Sequence, residues 1–322
     1  MKRRHFLLSA AIASWPPALL AQLRLARVGV LFPEPLATTR SLVEALKSGL
    51  RELGYIEGSN IAFELRSAEG RYGSLRALAE ELVAAKVQLI VAFGTPPSLA
   101  AKAATSTIPV VMAAVGDPLG TGLVSSLARP GGNLTGTSNL SPPLVVKRLE
   151  LVKECHPDLR RVGLLVNPSN PAQAASVRAV VEAARPLRLE LAQYGVSNAD
   201  EIRRAFSSMP GERVEGLVLA NDPVLIGNYA AIADMAKKQR IRAGGSREFA
   251  EAGGLLGYGS ARDAIRHSAT YVDRILKGAK PADLPIEQPS KYEVFLNLKT
   301  AKEADFAIAP SFRLLRVDRV IE

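Results

Sequence analysis

The sequence predicts an α/β protein made of two similar doubly wound parallel-sheet lobes. Two observations carry this. From Arg27 onward, apolar runs of strand length alternate with stretches whose apolar residues fall at helical spacing, the rhythm of a parallel sheet covered by helices on both faces. The scheme then restarts: Arg161-Val162-Gly163-Leu164-Leu165-Val166-Asn167-Pro168 echoes Arg27-Val28-Gly29-Val30-Leu31-Phe32-Pro33. A chain of 322 residues is long enough for both copies to bury cores of their own.

In the first copy, Arg27–Phe32 reads as a buried strand ended by Pro33, and Leu42, Val43, Leu46, Leu50 and Leu53 mark a helix that Gly54 stops. Ile61–Leu65 alternates like a strand, and Leu75, Leu78, Leu82 and Val83 form one helical face. Leu89–Phe93 and Val110–Val115 are further buried strands, and the lobe is expected to end around Leu134–Asn139, before Ser141-Pro142-Pro143. In the second copy, a helix through Val177–Ala184, a strand around Leu189–Val196 and a helix near Glu201–Phe206 follow the opening strand. A strand over Gly216–Ala220 and a helix over Ala230–Lys238 come next. Beyond Tyr258, Ala264, Ile265, Tyr271, Val272 and Ile275 predict a helix, and Val294–Leu296 a last strand.

A composition of 48% hydrophobic and 22% charged residues is that of a folded globular protein and excludes a disordered or fibrous chain. Cys155 is the single cysteine, so neither an intramolecular disulfide nor a cysteine-built zinc site can form. His5, His156 and His267 lie far apart in sequence, which argues against a histidine metal centre. The N-terminus begins with Lys2-Arg3-Arg4, runs apolar to Leu20 and reaches Ala21-Gln22. That is the layout of a cleavable signal peptide over residues 1–21, and of a mature protein in a periplasm-like space. Arg3-Arg4-x-Phe6-Leu7 also fits a twin-arginine signal. The apolar stretch falls short of the roughly 20 residues a membrane span needs, and Pro16-Pro17 would break a helix within it.

The net charge of +10 falls to +7 without that segment. The remaining basic residues are scattered pairs such as Arg160-Arg161 and Arg203-Arg204, with few aromatics between them. They describe solvated helix faces, and no nucleic-acid partner is expected.

Ligands of open α/β sheets bind outside the carboxyl ends of the strands. The residues there are Pro33-Glu34-Pro35, Gly94-Thr95-Pro96-Pro97-Ser98, Gly116-Asp117-Pro118, Asn167-Pro168-Ser169-Asn170-Pro171, Asn221-Asp222-Pro223 and Gly244-Gly245-Ser246. Small polar residues that open helices beside proline or glycine cap those helices. Aimed at one cleft, they can also hold a carboxylate or a phosphate. The candidate ligand-binding residues are therefore Glu34, Thr95, Pro96, Ser98, Asp117, Asn167, Asn170, Asn221, Asp222 and Ser246, with Tyr258 as an aromatic neighbour. No phosphate-binding loop, nucleophile elbow or dinucleotide fingerprint occurs. Neither a cofactor nor a catalytic set is expected.

Several stretches carry a family likeness. Gly54-Tyr55-Ile56-Glu57-Gly58-x-Asn60-Ile61, Ala68-Glu69-Gly70-Arg71-Tyr72, Ser126-Leu127-Ala128-Arg129-Pro130-Gly131-Gly132-Asn133-Leu134-Thr135-Gly136 and Glu251-Ala252-Gly253-Gly254-Leu255 are among them. Gly116-Asp117-Pro118, Lys277-Gly278 with Pro281-Ala282-Asp283-Leu284-Pro285, and Asn297-Leu298-Lys299-Thr300-Ala301-Lys302 extend the match. Together they resemble the ABC-transporter substrate-binding proteins that include tryptophan and tyrosine binders. The resemblance implies a type I periplasmic-binding fold with a ligand cleft between the lobes, lobe 1 over 22–140 plus 258–282 and lobe 2 over 141–257 plus 283–322. It also implies a monomer that captures a small carboxylate-bearing solute by hinge closure, an aromatic amino acid being one candidate. Delivery would be to permease and ATPase subunits at the inner membrane. Under it, Thr95 and neighbouring amides would take a carboxylate, Asp117 or Asp222 an ammonium, and Asn167, Asn170 and Asn221 polar edges. A ligand-binding component of a periplasmic sensor and an exported α/β enzyme stand as alternatives.

Overall fold

The computed structural model describes residues 25–289 and 292–322. The expected signal peptide, with Trp15, lies outside the described residues. Among the described residues, no helix is long and apolar enough to cross a membrane.

The first lobe is built on β1 (Ala26–Phe32), β2 (Ile61–Ser67), β3 (Leu89–Phe93), β4 (Val110–Val115) and β5 (Leu134–Ser138). They form a wholly parallel sheet in the order β2-β1-β3-β4-β5. Helices α1 (Leu36–Glu52), α2 (Leu75–Ala84) and α3 (Thr95–Ala104) are its crossovers. The alternation along β1 sets the two cores. Val28, Val30 and Phe32 pack with Leu46 and Leu50 of α1, while Leu31 packs on the other face with Leu82 of α2.

The second lobe contains α4 (Ser141–Cys155), β6 (Arg161–Val166), α5 (Gln173–Ala184), β7 (Glu190–Gly195), α6 (Ala199–Ser208), β8 (Gly216–Leu219), α7 (Pro223–Gly227), α8 (Tyr229–Lys238), β9 (Arg242–Gly245), α9 (Arg247–Glu251) and β10 (Leu256–Tyr258). Its sheet begins β7-β6-β8-β9-β10, the order of the first lobe repeated. After α10 (Ala261–Leu276), the chain adds β11 (Val294–Asn297), α11 (Leu298–Glu303), α12 (Pro310–Arg316) and β12 (Arg319–Ile321). Strand β11 pairs antiparallel with β10, and β12 continues the sheet in parallel.

The helix after Tyr258 returns to the first lobe. Ile265 and Val272 of α10 join the core of Leu46 and Leu50, and Thr137 Oγ1 donates to the Ala264 carbonyl at 3.1 Å. Gly49 makes this approach sterically feasible, because a methyl group there would stand 2.5 Å from the Arg266 carbonyl oxygen.

The last crossing comes later than the expected 282/283 boundary. Leu284 and Ile286 bury in the first lobe's cores, and Glu287 bridges to Thr137 beside β5. Thr135 Oγ1 also donates to the Leu284 carbonyl at 2.7 Å. The segment covers the free edge of β5, which would otherwise present unpaired peptide groups. Tyr271 of α10 fastens it, donating its hydroxyl to the Pro285 carbonyl at 2.7 Å. Tyr271→Phe should therefore cost about 1 kcal/mol, the net worth of one hydrogen bond. An unchanged urea midpoint would show that this bond does not hold the segment.

Candidate functional site

The carboxyl ends of both sheets face one cavity between the lobes, of about 610 Å³ with its open mouth included. The first lobe lines it with the ends of β1, β3, β4 and β5, and the second with the segments after β6 and β8. Its wall is mainly apolar: Leu42, Phe93, Ala113, Ile226 and Ile265, with Pro33 and Pro223. Phe93 packs on Phe32 with ring centroids 4.6 Å apart, so Phe32 is core while Phe93 serves both core and cavity.

The polar groups concentrate at Asp222, which caps α7 and is fully buried. Its Oδ1 accepts from Asn167 Nδ2 at 3.0 Å, the Val224 amide at 2.9 Å and the Tyr72 hydroxyl at 3.4 Å. Its Oδ2 accepts from Asn170 Nδ2 at 2.8 Å. Burial raises the proton affinity of this carboxyl, and the donors around it oppose that. Tyr72 belongs to the first lobe and its partners to the second, so these bonds join the lobes. Burial, then Asp222, then Glu34 hold the Tyr72 hydroxyl neutral by raising its pKa.

Glu34, in the link from β1 to α1, is 6% exposed, and its Oε1 is buried with no hydrogen-bond partner. Among the described residues, no lysine, arginine or histidine lines the cavity, and no group of three His, Cys, Asp or Glu is placed to hold a metal ion.

Of the residues expected from strand-end position, Thr95, Asn170, Asn221 and Asp222 line the cavity. Asn167 stands behind them as a donor to Asp222. Glu34 lies at the same end, next to the lining residue Pro33. Pro96 and Ser98 start α3 without lining the cavity, and the Ser98 hydroxyl turns back to the Gly94 carbonyl at 2.7 Å. Asp117 caps its own turn, accepting from the Gly120 amide at 2.8 Å. Ser246 lies inside the second lobe, where its hydroxyl meets Glu248 at 2.6 Å and Tyr229 at 3.3 Å. Tyr258 stacks near Tyr292 and contributes only its backbone carbonyl, to Arg148.

The expected cradle of amides beside Thr95 is thin. Pro96 and Pro97 have no N–H to offer, and the Ser98 amide donates to the Gly94 carbonyl. The Thr95 hydroxyl accepts from the Gly116 amide at 3.2 Å, joining the ends of β3 and β4.

Strand-end reasoning missed Tyr72, Asn139 and Ser141. Asn139 and Ser141 line the cavity, and the buried Oδ1 of Asn139 has no partner. All three follow β2 or β5, the two first-lobe strands whose ends the expectation left unread. Extending the rule to those ends would have found them.

A family model described as ABC transporter substrate binding protein matches residues 35–315. A tyrosine-binding protein of Clostridioides difficile (strain R20291) is 30% identical over 258 residues, covering 80% of this chain and 74% of that protein. Among solved structures, an ABC domain from Streptococcus pneumonia in complex with L-Trp has a TM-score of 0.83 at 27% identity, covering 92% of this chain and 100% of that one. A conserved domain protein from Vibrio cholerae also reaches 0.83, at 25% identity over 92% of this chain and 99% of its own. The two-lobed α/β architecture is common to these matches.

Proposed function

Because the chain belongs to the ABC transporter substrate-binding protein family, a family of solute binders and not of enzymes, we propose that it captures an amino acid with an apolar, preferably aromatic, side chain. The observation that carries this reading is the cavity's polarity: an apolar wall of Leu42, Phe93, Ile226 and Ile265 facing one acidic pole at Asp222. The ammonium group lies at that pole. The carboxylate lies toward Thr95, Asn139 and Ser141, where hydroxyl and amide donors stand in place of a basic residue. The side chain takes the apolar wall. The tyrosine-binding relative and the L-Trp complex support this choice of solute.

Binding closes the two lobes about the crossings between them, which include those near Leu140 and Gly259. The ligand touches both lobes only when they are closed, which is the differential contact that favours closure. The closed monomer then delivers its solute to a permease–ATPase pair, on the outer side of the inner membrane.

Thermal unfolding of the ligand-stripped protein with a panel of amino acids, organic acids and sugars tests the reading. A ligand at about a hundred times its dissociation constant adds about 2.7 kcal/mol of stability. Stabilisation by L-tryptophan or L-tyrosine is expected, and stabilisation by sugars alone would refute the assignment. Thr95→Ala should weaken the same ligand by up to about tenfold, the value of one neutral hydrogen bond. Unchanged affinity would remove Thr95 from the carboxylate end.

A further inference from the structure

We infer that Glu34 is the side chain that meets the amine of the bound amino acid, and that it gives up a proton to solvent as it does so. The inference rests on the amino-acid reading above.

Asp222 is the obvious acid for an ammonium group, yet the protein has already supplied most of its partners. Its Oδ1 has three donors, from Asn167, Val224 and Tyr72, and its Oδ2 has Asn170. A carboxylate oxygen accepts about two good hydrogen bonds, so Asp222 keeps room for one more, on Oδ2. Glu34 is the reverse case, since its Oε1 is buried and accepts from nothing. The two acids come from opposite lobes and act on each other electrostatically. The other titratable groups acting on this pair are Glu69, after β2, Tyr72, and Tyr229 of α8, which interacts electrostatically with Asp222. Two buried acids with no lining cation call for a positive group that carries several N–H donors. An ammonium group supplies three, enough for Glu34 Oε1 and Asp222 Oδ2 together.

Before that cation arrives, burial first, then the charges of Asp222 and Glu69, push the Glu34 carboxyl up to about 7. Near neutral pH it is thus about half protonated. The arriving ammonium favours the carboxylate, the O–H bond breaks, and the proton leaves to the buffer.

Titration calorimetry of the ligand-stripped protein with L-tryptophan and L-tyrosine, in buffers of different ionisation enthalpy, counts that proton. The expected result is about half a proton released per ligand at pH 7, and a dissociation constant that tightens by about tenfold between pH 6 and pH 8. Glu34→Gln should abolish the release and flatten the pH profile. Tight amino-acid binding by the parent protein with no buffer-dependent heat at pH 7 would overturn the role of Glu34 and leave the amino-acid reading standing. Equal or tighter binding of the amine-free indole-3-propionate, or no binding of either amino acid, would overturn both.

Discussion

Arg148→Ala is expected to lower the unfolding free energy by about 3–5 kcal/mol, the combined cost of two buried carbonyls left without donors and of the cavity left by a large side chain. Arg148 lies on α4, 2% exposed, and it answers to the ends of two strands. Its Nη1 donates to the Leu219 carbonyl at 2.9 Å, and its Nε and Nη2 donate to the Tyr258 carbonyl at 3.0 and 2.9 Å. Alanine would leave both carbonyls buried without these donors and open a cavity of nearly a whole side chain. The Tyr258 carbonyl immediately precedes the second crossing between the lobes, and Glu248 secures the far side of that crossing. Glu248 accepts from the Ser260 hydroxyl at 2.7 Å and the Arg262 amide at 3.0 Å. The same substitution should therefore also loosen the link on which the lobes close. Guanidinium unfolding measures the first effect. A loss below about 1 kcal/mol would mean that the strand ends find other donors, and that the network is not what holds the crossing.

Glu34→Gln should make the ligand-free protein more stable in alkaline solution. Folding raises the Glu34 carboxyl from 4.5 to about 7, by burial first and then by the charges of Asp222 and Glu69. A group raised in this way favours the folded state only while it is protonated. Its contribution is complete below pH 4.5 and is lost as the pH climbs through about 7. At 1.36 kcal/mol per pH unit, the parent protein carries a cost of about 3 kcal/mol above that range. Glutamine has no charge to desolvate. The variant should match the parent at pH 4 and exceed its stability by up to about 3 kcal/mol at pH 8.5. Equal stability at both pH values would show that Glu34 is solvated better than its 6% exposure implies. The cost has a functional counterpart, because an ammonium between Glu34 and Asp222 would relieve it on binding.

Much of this molecule was legible in the residues. The echo of Arg27–Pro33 at Arg161–Pro168 announced two equivalent sheets, and both fold in the same strand order. Strand β5 was not legible, because Leu134-Thr135-Gly136-Thr137-Ser138 carries little apolar signal. It is nonetheless fully buried, since α10 and the segment at Leu284–Glu287 cover it from distant parts of the chain. The late crossing was missed for the same reason. Leu284-Pro285-Ile286 looks like a linker until the edge of β5 is there to be covered.

The site divides along a similar line. Position after a strand placed Thr95, Asn170, Asn221 and Asp222 at the ends of the sheets that face the cavity, and that much follows from local pattern alone. Strand ends fix height along the sheet, whereas the direction of each side chain is set by neighbours remote in sequence. Ser98 therefore bonds back to its own helix, Asp117 to its own turn and Ser246 into its own lobe. Tyr72 reaches Asp222 across the cleft from 150 positions away. The chain by itself determined two sheets, their helices and a ring of small polar residues at the strand ends. Only the tertiary structure decided which of those residues share a cavity, left Glu34 Oε1 without a partner and tied up the Ser98 amide beside Thr95. Burial and pairing depend on what the second lobe brings, and no local pattern carries that information.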